Sequence, residues 1–102
     1  MVIYNVTVNI EREVEKEWKK WMMEVHIPEV METGIFSAYT FSRLLHEEQQ
    51  GTTYTIQYFS KDFDSLQKYL DHHAPALQQD HTDRYEGKFV AFRSFMQVEK
   101  RG

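Results

Sequence analysis

The first twenty-five residues change hydrophobic period once, and that change constrains the fold more than any other feature of the chain. In VIYNVTVNI, from Val2 to Ile10, residues Tyr4, Val6, Val8 and Ile10 fall on one side and Asn5, Thr7 and Asn9 on the other. Alternation carried by β-branched residues belongs to a strand with one buried face. The next stretch, EREVEKEWKKWMMEV, switches to helical spacing. Val14, Trp18, Trp21 and Val25 lie within a narrow arc at about 100° per residue, and Glu and Lys fill the remainder.

Pro28 disfavours helical geometry at Ile27, so the long helix is expected to end near His26. PEVMET then reads as a short second turn, opened by Pro28 and closed by Gly34. IFSAYTFSRLLHEE and TTYTIQYFS, rich in aromatic and β-branched residues and separated by QQG, read as an antiparallel hairpin. SKDFDSLQKYLDHHAPALQQDHTDRYEG reads as an interrupted helix. Ser60 or Asp62 offers its N-cap, Leu66, Leu70 and Leu77 share a stripe, and Pro75 kinks it or opens a second helix. KFVAFRSFMQV alternates as a last strand. The order β-α-β-β-α-β predicts an α+β, ferredoxin-like fold: a four-stranded antiparallel sheet with both helical layers on one face. No linker or repeat divides residues 1–102, so one domain is expected.

The pattern places Tyr4, Val6, Val8, Tyr54, Ile56, Tyr58, Val90, Phe92, Met96 and Val98 toward the helices. The reverse then carries Asn5, Thr7, Asn9, Thr53, Thr55, Gln57, Arg93 and Gln97, spotted with Phe59, Phe89 and Phe95. A half-polar sheet face with aromatic residues suits a wet sheet-on-sheet interface, which predicts a homodimer. The second strand leaves its own face open, because Phe36/Ala38/Leu44 and Ile35/Tyr39/Phe41 are about equally apolar.

Composition removes several classes. Net charge is −4 and the basic residues are scattered, which disfavours nucleic acid or an anionic membrane as main partner. The absence of cysteine excludes disulfides and thiolate chemistry. The N-terminus alternates and has no basic leader, and no run approaches the roughly 20 apolar residues that span a bilayer, so a cytoplasmic location is expected. Four glycines include no phosphate loop, and no Gly-x-Ser-x-Gly elbow occurs. The acidic pairs Glu47/Glu48 and Asp62/Asp64 sit at turns, where solvation and capping explain them.

The segments IYNVTVNI, EWKKWM…HIPEV…TGIF and HAPALQQDHTDRYEGKFVAFRS together resemble one family of short bacterial proteins, the domain of unknown function 4286 family. The resemblance covers nearly the whole chain and implies no activity. In layout the family is similar to the dimeric α+β barrel proteins, in which two ferredoxin-like sheets pack face to face. That wider group includes cofactor-independent oxygenases, isomerases and haem enzymes, so the resemblance implies a dimer more strongly than any one chemistry. It also implies that a ligand cavity, where one exists, lies between helices and sheet.

Against that background the candidate site residues can be weighed. His26 is a candidate acid or base, because imidazole titrates near neutrality. The favoured reading is simpler: it caps the last helix carbonyls. His73 and His81 share a helical side with Leu66, Leu70 and Leu77 and could meet His26 or His46. Their spacing is no recognised ligand motif, so no metal and no cofactor are expected. Tyr4, Trp18, Trp21, Tyr54, Tyr58 and Phe92 should converge between the first helix and the sheet, as core or as the wall of a pocket. Arg93, mid-strand, needs an anionic or carbonyl partner: a carboxylate across a dimer, which is preferred, or an anionic ligand.

The resulting expectation is a homodimer with a small-molecule-binding or accessory role. Its pocket is drawn from Tyr4, Trp18, Trp21, His73, His81, Phe92 and Arg93, and its ligand is hydrophobic or aromatic. The enzymatic alternative is a cofactor-independent oxygenase or isomerase, with His26 as acid/base and Tyr54 or Tyr58 orienting the substrate. The third is an interaction module with a filled core.

Overall fold

The computed structural model describes residues 1–46 and 48–102; Glu47, one of the acidic turn residues, lies outside them. The chain runs β1 (Val2–Ile10), α1 (Arg12–Trp21), a π-helical turn (Met22–His26), α2 (Ile27–Glu32), β2 (Phe36–Arg43), β3 (Thr52–Ser60), α3 (Phe63–His72), α4 (Ala74–Tyr85) and β4 (Phe89–Gln97). The strands form one sheet in the order β2-β3-β1-β4, antiparallel at every junction. This is the ferredoxin-like arrangement. No helix of the described residues is long and apolar enough to cross a membrane.

Residues directly opposite one another on paired strands share a face. Tyr4 pairs with Tyr58, Val6 with Ile56 and Val8 with Tyr54, and this set is covered by both helical layers. Trp18, Met22, Ile27 and Val30 come from the first layer and Leu66, Tyr69, Ala74 and Tyr85 from the second, all buried. A β-bulge between Phe36 and Ala38 resolves the ambiguity of the second strand. The extra residue lets Phe36 on one side of it and Tyr39 and Phe41 on the other all turn to the helices.

Three expectations are corrected. The first helix does not stop at His26. His26 and Ile27 keep right-handed angles (φ −69°, ψ −52° and φ −61°, ψ −45°), and the Ile27 N–H donates to the Met22 carbonyl, five residues back. Pro28 has no N–H to give, and its ring would press on the carbonyl four residues earlier in an α-helix; the wider turn accommodates both.

The turn also re-phases the rod. Trp18 and Val30 are both fully buried yet twelve residues apart. At about 100° per residue, eleven steps return within roughly 20° of the starting side and twelve overshoot by about 120°. The π-turn absorbs the surplus residue, so Val25, expected inward, is exposed, while Met22 and Ile27 take the inner positions.

The phase of β4 is the second correction. Val8 pairs with Ala91, Val6 with Arg93 and Tyr4 with Phe95, so Phe89, Ala91, Arg93 and Phe95 face the helices. Val90, Phe92 and Met96 stand on the reverse, as does Val98 beyond the strand, beside Met1, Ile3 and Phe59. Both sets of alternate residues are apolar enough to be read as core, and pairing decides between them. The third correction is the hairpin: β2 ends at Arg43, and Leu45, 85% exposed, lies beyond the strand.

Capping follows the sequence more closely. The Asp62 carboxylate accepts the Ser65 N–H at 2.8 Å and starts α3. His73 (φ −122°, ψ −41°) breaks α3 from α4, and Pro75 sits in the first turn of α4, where no intrahelical partner for an N–H is needed.

Candidate functional site

The two helical layers do not close completely over the middle of the sheet. β1 supplies Tyr4, Val6 and Val8 to the floor of a cavity, β3 supplies Ile56 and Tyr58, and β4 supplies Ala91 and Arg93. The roof comes from Met22 and His26 of the π-turn, Val30 of α2, Tyr69 of α3, and Leu77, Gln78 and His81 of α4. The cavity measures about 30 Å³, room for a guest of a few atoms.

His81 has a protonation state fixed by geometry. The Trp18 indole N–H donates to its Nε2 at 2.9 Å in the buried interior. An indole nitrogen is only a donor, so Nε2 must hold a lone pair and the ring proton of His81 sits on Nδ1. Burial agrees, pulling its pKa down to about 4, with His26 and Arg93 lowering it further.

His26 is the contrasting imidazole. Its ring lies against Trp21 (centroids 5.1 Å apart, 29° between planes) and edge-on to His81 at 5.8 Å. It makes no cap, and its Nδ1 is the one buried side-chain polar atom among the described residues that lacks a partner. The capping role is therefore overturned: the helix continues through His26 and leaves no terminal carbonyls there to satisfy. Burial lowers its pKa to about 4; Asp80 opposes that and Arg93 adds to it.

The phenols are held neutral as well. Burial, reinforced by Tyr69, Tyr4 and Tyr39, drives the Tyr58 hydroxyl pKa well above its usual range. Burial and Tyr4 do the same for Tyr69, against a smaller opposing effect of Arg93. The Tyr4 hydroxyl accepts two bonds, from Arg93 Nε at 3.2 Å and from the Gln78 amide at 3.5 Å. The site thus holds neutral hydrogen-bonding groups and one permanent cation. Among the described residues no aspartate or glutamate lines it.

Of the residues the sequence singled out, His26, Tyr58, Tyr4, His81 and Arg93 are brought together at this cavity. Tyr54 is elsewhere: its hydroxyl donates to Glu15 Oε2 at 2.6 Å, and burial with the Glu15 carboxylate pushes its pKa up to about 12. Trp18 and Trp21 stand behind the two histidines rather than on the wall. His73 packs on the Tyr69 ring at the α3–α4 break. Phe92 is on the opposite face of the sheet and 60% exposed, a consequence of the β4 phase.

Arg93, expected on the open face with a carboxylate across a dimer, instead faces the helices. Tyr69 and Gln78 were missed. Tyr69 lies three residues after Leu66 on the same stripe and was legible; Gln78 follows the stripe residue Leu77 and has no signal of its own. His46 is exposed in the β2–β3 loop, and the described residues gather no three His, Asp or Glu side chains in a metal-binding cluster.

The fold recurs widely among solved structures. HapK from Hahella chejuensis superposes with a TM-score of 0.75 at 9% identity, over 100% of this chain and 96% of its own. SnoaB, a cofactor-independent oxygenase from Streptomyces nogalater, gives 0.68 at 12% identity over 98% and 95%. A MhuD variant with two manganese protoporphyrin IX bound per active site gives 0.68 at 14% identity over 100% and 98%. Likeness at these identities is likeness of fold. No curated protein matches the sequence. The chain belongs to the family described as Domain of unknown function (DUF4286), whose profile matches residues 1–99.

Proposed function

We propose that this member of the family is a cytoplasmic small-molecule-binding protein, a homodimer of single ferredoxin-like domains. Each domain receives its ligand in the cavity under the π-turn. The observation that carries the reading is His26, a lining residue of that cavity whose buried Nδ1 has no partner among the described residues. Leaving a buried polar atom unpaired costs about 1–3 kcal/mol, which a leucine or methionine at the same position would avoid.

The small volume favours a ligand of a few heavy atoms, or the head group of a larger one whose body lies outside the cavity. It speaks against a polyaromatic ligand, since pockets that enclose drug-sized molecules run to roughly 300 Å³ or more. The oxygenase or isomerase alternative gains from the free nitrogen of His26. It loses because a base with a pKa near 4 is weak at neutral pH.

In a melting-temperature screen of small polar and aromatic metabolites, some members are expected to raise Tm, and His26→Ala to abolish the rise. A flat response across the panel returns the cavity to ordinary packing.

The dimer reading is supported by the reverse of the sheet. Val90 is 71% and Phe92 60% exposed, and Met96, Ile3 and Phe59 add apolar side chains to the face that Thr7, Thr55 and Gln57 share. Exposed large apolar side chains set among polar ones on a single sheet face suit an interaction surface. Sedimentation at micromolar concentration is expected to give a dimer for the wild type and a monomer for Phe92→Glu, whose exposed position leaves the domain folded. A monomeric wild type removes the proposal.

A further inference from the structure

We infer that the cavity receives the carboxylate of a small organic acid, anchored by the guanidinium of Arg93; this rests on the ligand-binding reading above and specifies its chemistry. The first support is an arginine without a counterion. Among the described residues no carboxylate pairs with Arg93, although the chain carries a net charge of −4. Among the described residues its one bond uses Nε, to the Tyr4 hydroxyl, which steadies the plane of the group, and both terminal amino groups have no partner there. A planar guanidinium fork matches a carboxylate with two parallel hydrogen bonds.

The second support is the balance of donors and acceptors. Arg93, Gln78, Tyr58 and Tyr69 all line the cavity, and the Trp18 bond forces His81, another lining residue, to keep its proton on Nδ1. The side chains of these residues can all donate, and among the described residues no acidic side chain borders the cavity to compete for them. Asp80, close enough to act on His26, is an exposed residue of α4 outside the lining. Such a surround repels cations and rewards anions. The third support is size. A carboxylate has three heavy atoms, and a cavity of about 30 Å³ admits a group of that scale without displacing the core.

The test follows the imidazole ring signals of His26 and His81 by NMR while the intact protein is titrated with acetate, benzoate, acetamide and benzamide. The acids are expected to shift both rings and to bind about tenfold or more tightly than the amides, the margin of a charge-assisted pair. Arg93→Gln is expected to remove most of that margin and Arg93→Lys to restore part of it. Arg93 is exposed on an edge strand, so an unchanged far-UV spectrum is expected for both variants. Amides that shift the rings as strongly as acids, or acetate binding untouched by Arg93→Gln, overturn the anionic assignment and leave ligand binding standing. If none of the four probes moves either ring, the assignment and the reading beneath it both fall.

Discussion

Trp18→Ala is expected to destabilise the protein by about 3–5 kcal/mol, the largest effect of any single substitution considered. Trp18 is fully buried, with ring centroids 5.0 Å from Tyr54 and 5.8 Å from Phe41, so truncation opens a cavity where helix and sheet meet. It also strips His81 Nε2 of its only donor. Trp18→Phe separates the two contributions, since it keeps most of the volume and loses the hydrogen bond. About 1–3 kcal/mol is expected for that change, read from urea melts followed by far-UV circular dichroism. The same variant frees His81 to change tautomer or charge, so the imidazole pKa measured by NMR should rise. A phenylalanine variant as stable as the wild type, with an unaltered His81 titration, would remove the bond from the account.

Acid is the second large perturbation. Both His26 and His81 have folded pKa values near 4 against an ordinary 6.5, so the unfolded chain binds more protons than the native one between those limits. Stability is therefore fully present above pH 6.5, falls as the pH drops toward 4, and loses no more from these groups below that. Each group alone accounts for on the order of 3 kcal/mol.

The groups facing them act in known directions. Asp80 favours the charged form of His26, Arg93 opposes it for both, and a charge on His26 would oppose one on His81. Protonating His81 also sets a second N–H against the Trp18 indole. Urea melts at pH 7, 6, 5 and 4 should show the loss, and His26→Leu should remove about half of it while keeping the site apolar. A stability flat across that range would mean the histidines are solvated in the native state.

Much of the architecture was legible because period and punctuation agree in this chain. Val2 to Ile10 alternates, Asp62 caps, and Gly34 adopts the positive φ of 78° that ends α2. The reversed phase of β4 has a plain physical origin: the sequence supplies two faces of similar apolarity, and only pairing chooses. In β4, Phe89/Ala91/Phe95 and Val90/Phe92/Met96 are near equals, and the choice sent Phe92 to the surface and Arg93 inward.

Pro28 misled in a different way. Its penalty was read as a break, whereas a wider turn relieved it with little change of direction. His26, Tyr58 and Arg93 were recognisable as residues needing explanation. That they meet each other required the π-turn and the β4 register, neither of which local spacing encodes.

The surplus residue in the first helical rod has a bearing on its history. A rod one residue shorter between Trp18 and Val30, with an ordinary residue in place of Pro28, would run as plain α-helix and still seat both ends against the same sheet. Folding therefore does not demand the insertion; what would vanish with it is the swollen coil that hangs an imidazole over the hollow. Length in this segment, more than the identity of Met23, Glu24 or Val25, is the quantity that selection on the hollow would guard.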